Sequence, residues 1–248
     1  MEIITSSSGV LSKNEIQNFK LMLVNSKLKE SINKIMTSLN IKEYAKFDFN
    51  DIPIPDSSIS KKAIEEAQDS FNIILLYHSY RTYFWSAGFA LSEKLKVDFE
   101  LLFVSSLLHD IGLAENHNHI CSEQCFANYG GDFTRNFCLE NGLDKKKSNI
   151  IKQAIDMHLN PIIDRNKYGN ESYLLSKGAA MDVIGANRFQ LNKKFILEVD
   201  QSYSRKGFKE DIINTMESFH HKEGTRPDIL YKMGFSKMAY KNPLDKIV

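Results

Sequence analysis

The sequence is poor in cysteine, in unbalanced charge and in long apolar runs. Its three cysteines, Cys121, Cys125 and Cys138, are an odd number and form no Cys-x-x-Cys, which fits a reducing, cytoplasmic setting. Cys121 and Cys125 lie four apart and could share a helix face, a spacing that speaks for packing more than for a metal or redox role. Thirty-two Lys and Arg against 31 Asp and Glu leave a net charge of +1. Such a balance gives no general attraction for phosphate backbones or anionic lipid, so neither a nucleic-acid nor a membrane partner is expected. Met1-Glu2-Ile3-Ile4-Thr5 carries an acid where a secretory signal carries bases, and no long apolar stretch follows it. The most continuous apolar segment, Phe99 to Leu108, contains two serines and falls far short of the roughly 20 residues of a bilayer span, so it reads as a buried helix. There is no phosphate-binding glycine loop, because Gly130-Gly131 lacks the spacing and the lysine. There is also no Ser or Cys nucleophile motif, no internal repeat, and no sustained alternation of a half-buried strand.

What remains is an ordinary globular composition, 42% hydrophobic and 25% charged, in 248 residues, enough for a sizeable core. The apolar spacing is helical throughout. Ser12-Lys13-Asn14-Glu15 has capping-box spacing ahead of Ile16, Phe19, Leu23 and Val24, and a second pattern, Leu28, Ile32, Ile35, Met36 and Leu39, follows as the other half of a helical hairpin. Asn40 to Ser60, with Pro53 and Pro55, reads as a surface connection. Two helices are expected between Ile59 and Leu95, then one capped by Asp98 that runs to Leu108 with Gly112 just beyond. Gly130-Gly131 predicts a helix start near Asp132 and a stop at Gly142. Asp144 caps the next helix, which carries His158. Ser172 to Ile184, with Gly185 as its C-cap, is followed by helices over Lys193 to Val199, Lys209 to His221 and Pro227 to Met233. The expected fold is all-α: a helical bundle forming a single domain over residues 54–248, preceded by an N-terminal helical extension and linker over residues 1–53.

The chemically informative stretch is Leu107-Leu108-His109-Asp110-Ile111-Gly112, where an apolar helix ends in two adjacent groups able to bind a metal. A buried, unpaired carboxylate costs several kcal/mol, so Asp110 needs a cation or strong donors beside it. Neighbouring helical residues point about 100° apart, so His109 and Asp110 share one ion only if it sits beside the helix end, with further ligands from other helices. His78, in an aromatic helix, and Asp182, after Gly178-Ala179-Ala180-Met181, are polar residues on otherwise apolar turns and complete a set suited to Zn, Fe or Mn. Taken singly, each has a plainer reading. His78 alone would be a hydrogen-bonded core residue, and Asp182 alone an exposed residue or the partner of an arginine. His220-His221, flanked by Lys222 and Glu223, reads as a solvated helix end.

His78, His109-Asp110 and Asp182, in that order, resemble the signature of the HD-domain superfamily. His78-Ser79-Tyr80-Arg81-Thr82-Tyr83-Phe84-Trp85, Leu107 to Leu113 and Gly178 to Gly185 are similar to its cyanamide-hydratase-like branch, over about Ile54 to Gly185 and including Phe126 and Gly130-Gly131. The resemblance implies an HD helical bundle and one divalent metal ion, Zn or Fe before Mn, held by His78, His109, Asp110 and Asp182. Asp110, His158 and Arg81 are the catalytic candidates: His158 faces substrate or bound water, and Arg81, three residues after His78, offers a hydrogen bond behind the ligands or a contact to substrate. Some relatives use additional histidines for a second ion. This chain offers His117, His119 and His158 for that role, but His117 and His119 lie in a polar loop and only His158 sits on a helix with an apolar face, so a single ion is expected. Trp85 and Phe84 read as core or as the wall of a small pocket. Ala127 stands where relatives are expected to carry an acid after Phe126. The implied activity is hydration of a cyanamide or other nitrile-like small molecule. The alternatives are a phosphohydrolase acting on a nucleotide or phosphate ester, a metal-stabilised binding domain without chemistry, and a diiron oxygen-activating version. Partnership beyond a small-molecule substrate is left open, a homodimer included.

Overall fold

The computed structural model describes residues 8–247; the segment Met1–Thr5, on which the expectation of no secretory signal rests, lies outside them. Among the described residues, eleven α-helices follow one another: α1 (Lys13–Ser38), α2 (Ser58–Ser70), α3 (Ile73–Ser92), α4 (Phe99–Leu108), α5 (Phe126–Glu140), α6 (Lys145–Met157), α7 (Arg165–Ile184), α8 (Lys193–Ser202), α9 (Phe208–Ser218), α10 (Arg226–Lys232) and α11 (Phe235–Tyr240). Among the described residues there is no strand, only an isolated bridge between Val10 and Thr225. None of the described helices is long and apolar enough to cross a membrane.

The local signals explain most helix starts. Ser12 and Glu15 form a reciprocal capping box at α1, Asp98 caps α4 and Asp144 caps α6, each carboxylate or hydroxyl taking up backbone N–H groups that have no partner within the helix. Gly185 ends α7 in the left-handed region, with φ 69°. Three expectations need correction. The N-terminal hairpin is one continuous 26-residue helix. The stretch from Asn40 to Ser60 is not merely a surface connection: Phe47 and Ile52 are buried in the main core, and Pro53 accepts a hydrogen bond from the Tyr83 hydroxyl. Gly130-Gly131 does not delay α5, which begins at Phe126 and runs through both glycines. Their lack of a side chain serves close packing instead, since a Cβ on Gly130 would lie 3.3 Å from the His109 carbonyl oxygen and one on Gly131 would lie 2.1 Å from Asp156 Oδ1.

The core is organised by two extensive helix pairs, α5 with α6 and α3 with α7, with α4 wedged among α2, α3 and α6. α4 is buried on all sides from Leu101 to Leu108, so its polar end is delivered deep inside the protein. Gly178 brings α3 and α7 together. A Cβ there would sit 2.1 Å from Ser86 Oγ and 2.6 Å from the Thr82 carbonyl oxygen, so only glycine permits this approach.

Candidate metal centre

The end of α4 solves the divergence of adjacent helical side chains by unwinding. His109 keeps helical angles (φ −62°, ψ −31°), but Asp110 leaves them (φ −105°, ψ 19°) before a turn of 3₁₀ helix at Ile111–Leu113. Gly112 then lies under the start of α5, where a Cβ would meet the Phe126 carbonyl oxygen at 2.7 Å. The result is that both side chains of the pair face the same buried point.

Three imidazoles surround the Asp110 carboxylate. His78 Nε2 lies 3.4 Å and His109 Nε2 3.3 Å from Oδ2, and His158 Nε2 lies 3.5 Å from Oδ1. All four side chains are at least 94% buried. The other ring nitrogen of each histidine is already engaged. His109 Nδ1 is 2.8 Å from the Ser106 carbonyl and His158 Nδ1 is 2.7 Å from the Ile155 carbonyl. His78 Nδ1 is 2.7 Å from Asp182 Oδ2. A carbonyl or ionised carboxylate only accepts, so each Nδ1 carries a proton and each ring turns its Nε2 toward Asp110. His109 Nε2 has no hydrogen-bond partner at all. Burial pushes His109 down to about 3, which keeps it neutral. For His78, burial pulls the same way, but the flanking carboxylates Asp110 and Asp182 outweigh it and raise the value. Asp110 is held well below the usual carboxylate range because the surrounding imidazoles overcome its desolvation.

Three imidazole nitrogens crowd one buried carboxylate, and His109 Nε2 among them has no partner, a place that a cation would satisfy. The donor set therefore fits a divalent ion. One donor atom from each of His78, His109 and Asp110 lies within 4.8 Å of the others, a group that could hold a metal ion. His158 adjoins this group through the second oxygen of Asp110.

The structure places the other candidate residues differently from their sequence reading. Asp182 is fully buried but turned away from the cluster, and its oxygens are taken up by other groups. Arg81 donates through Nε and Nη2 at 2.9 Å each, Trp85 Nε1 at 2.9 Å and Arg205 Nη1 at 2.6 Å, in addition to His78 Nδ1. Two guanidinium groups hold its carboxyl well below the normal range against the opposing effect of burial. Asp182 thus sits on the far nitrogen of His78, where it fixes the ring's proton and orientation. Arg81 faces Asp182 and, through Nη1, the carbonyls of Tyr203 and Ser204, so it has no surface left for substrate. Trp85 is a fully buried hydrogen-bond donor to Asp182 and is not among the residues that line the cavity at the cluster.

His117 bonds Tyr129 and packs on Phe133, and His119 is exposed, so neither joins the cluster. Ala127 is fully buried. The three cysteines are free and buried, and burial pushes the Cys121 and Cys138 thiols up to about 12. His221 is not solvated: it lies beyond the end of α9, buried near Phe126, because Lys222 N–H is pinned to the Cys121 carbonyl at 2.7 Å. Of the two histidines, His220 is the exposed one.

Sequence reasoning missed Arg205, which lies in the connection between α8 and α9 with no local pattern to mark it. It did contain a signal for the Asp182 network, because His78, Arg81 and Trp85 are spaced i, i+3 and i+7 on one face of α3.

The HD domain family model matches residues 75–179, a span that includes His78, His109, Asp110 and His158 and stops three residues before Asp182. The match supports placing this part of the chain in the HD superfamily. Together with the His78-His109-Asp110 cluster, it points to metal-dependent hydrolase chemistry. No curated protein matches the chain.

Proposed function

We propose that the chain is a metal-dependent enzyme that activates water for attack on an electrophilic carbon, with the nitrile group of cyanamide or a related compound as the first substrate class. The observation that carries this reading is the convergence of three imidazole Nε2 atoms, one of them without any partner, on one buried carboxylate. His78, His109 and Asp110 would hold a single divalent ion, Zn or Fe before Mn. When bound, such an ion supplies acidified water, lowering its pKa from near 16 to about 7.

The remaining residues have separable tasks. Asp182 keeps the Nδ1 proton on His78, and Arg81, Arg205 and Trp85 keep Asp182 ionised and in place. His158, with Nδ1 committed to the Ile155 carbonyl, presents Nε2 beside Asp110 as the group that takes up or returns a proton during turnover. Attack at carbon is favoured over attack at phosphorus because Arg81 and Arg205, the guanidinium groups behind His78, are consumed by Asp182. A phosphate would need free cationic or backbone donors there.

The test combines metal analysis of the purified protein with turnover of cyanamide, simple nitriles and a panel of nucleotides and phosphate esters. One equivalent of metal with urea or amide formation is the expected result. Release of inorganic phosphate would move the chain to the phosphohydrolase reading. Bound metal that raises the melting temperature with no turnover anywhere would move it to the binding-domain reading.

A further inference from the structure

The metal cluster opens into a cavity of about 410 Å³, within the range of sites that enclose ligands far larger than cyanamide. Its lining reaches from His78 at one end to Glu93 and Lys177 at the other. His78 lies early in α3 and Glu93 caps the helix end, so the two are separated by roughly 22 Å along the axis. The floor is one face of α7, where Tyr173, Ser176, Ala180 and Val183 recur at intervals of three and four. Small Ala179 and Ala180 lie midway and leave room above the helix. Leu159, Ile163, Met216 and Phe235 add apolar walls, and α1 roofs the space with Leu23, Ser26, Lys27, Lys29 and Glu30. At the far end, the Lys177 ammonium is matched by the Glu93 carboxylate and the Gln190 side-chain oxygen, and Lys29 and Lys42 also line the cavity near it, so a polar end of a ligand can be met there.

From this shape we infer that the substrate is elongated and largely apolar, its reacting carbon at the histidine cluster and its body lying along α7 beneath α1. The inference rests on the metal-enzyme reading for what happens at the cluster, but the binding preference follows from the cavity alone. Affinity then comes from methylene groups removed from water along the floor.

Binding of straight-chain carboxylates of four to twelve carbons to the metal-loaded, full-length protein, by displacement of a fluorescent fatty acid, tests this. Affinity should rise about threefold to fourfold per methylene and level off once the chain fills the cavity. Ala180→Trp fills the middle of the floor and should bring the levelling-off forward by several carbons without changing metal stoichiometry. If that variant does not fold, Ala180→Leu should shift it in the same direction by less. Affinities independent of chain length overturn the inference, as does an unaltered length profile in either variant when it is folded. A normal length series in protein that retains no metal supports the binding inference and removes only the metal-enzyme reading. A flat series in metal-loaded, active protein removes only this inference.

Discussion

Helices α1 and α3 are the two most instructive elements to set side by side. α3 has 15 of its 20 residues buried, including His78, Arg81 and Trp85, whereas α1 buries only Phe19 and Met22 among 26. Both carry abundant apolar residues. On α1, however, Leu21, Val24, Leu28, Ile32, Ile35 and Leu39 form an outward stripe, each 49–62% exposed, while Phe19 joins Leu11 and Ile229 in a small cluster separate from the main core. Glu30 and Asn33 tie the rest of α1 down through the Asn187 amide and Lys42. Apolar periodicity therefore reports that a segment is helical, not that its apolar side is covered. What distinguishes α3 is polar: a network inside the core that fixes its register against α7.

The comparison can be broken most severely at the cluster itself. Asp110→Ala removes the carboxylate on which the imidazoles converge, so metal measured in the purified protein should fall from about one per chain to near zero and turnover to background. Retention of stoichiometric metal would contradict the assignment. Next in size is Arg205→Ala, which leaves Asp182 buried with one guanidinium fewer. Denaturant unfolding should show a loss of about 3–5 kcal/mol. Metal affinity should also drop roughly tenfold to a hundredfold, because His78 loses its fixed orientation.

Gly178→Ala probes the same helix pair through packing alone. The intruding methyl group forces α3 and α7 apart at Ser86 and Thr82, for an expected cost of about 1–3 kcal/mol by thermal or denaturant melting. At the other end of the scale, Leu28→Gln together with Ile35→Gln changes two large apolar residues on the outer face of α1. Stability should move by less than about 0.5 kcal/mol per site. A larger loss would mean that this face is packed in solution and would erase the contrast with α3.

The helical class, the caps at Ser12, Asp98 and Asp144, the C-cap at Gly185 and the importance of His109-Asp110 were legible because each depends on neighbours in the chain, whereas His78 was picked out by its resemblance to a known motif order. Gly130-Gly131 misled for the opposite reason: a glycine pair looks like a helix breaker until α4 and α6 are seen pressing on it. His221 misled in the same way, since its charged neighbours do not report that a backbone bond to the Cys121 carbonyl draws the loop inward.

The sequence by itself determined that this chain is helical and that the His109-Asp110 pair needs partners, because spacing, caps and the cost of burying a carboxylate are local properties; His78 joined the pair only through the resemblance to a known family. Only the tertiary structure decided which atoms face one another. Asp182 and Arg81 turned out to support His78 from behind once Arg205, some 20 residues further along the chain, was placed beside them. The direction of a side chain in a core is set by the partners that satisfy its charge, and those partners come from elsewhere in the chain.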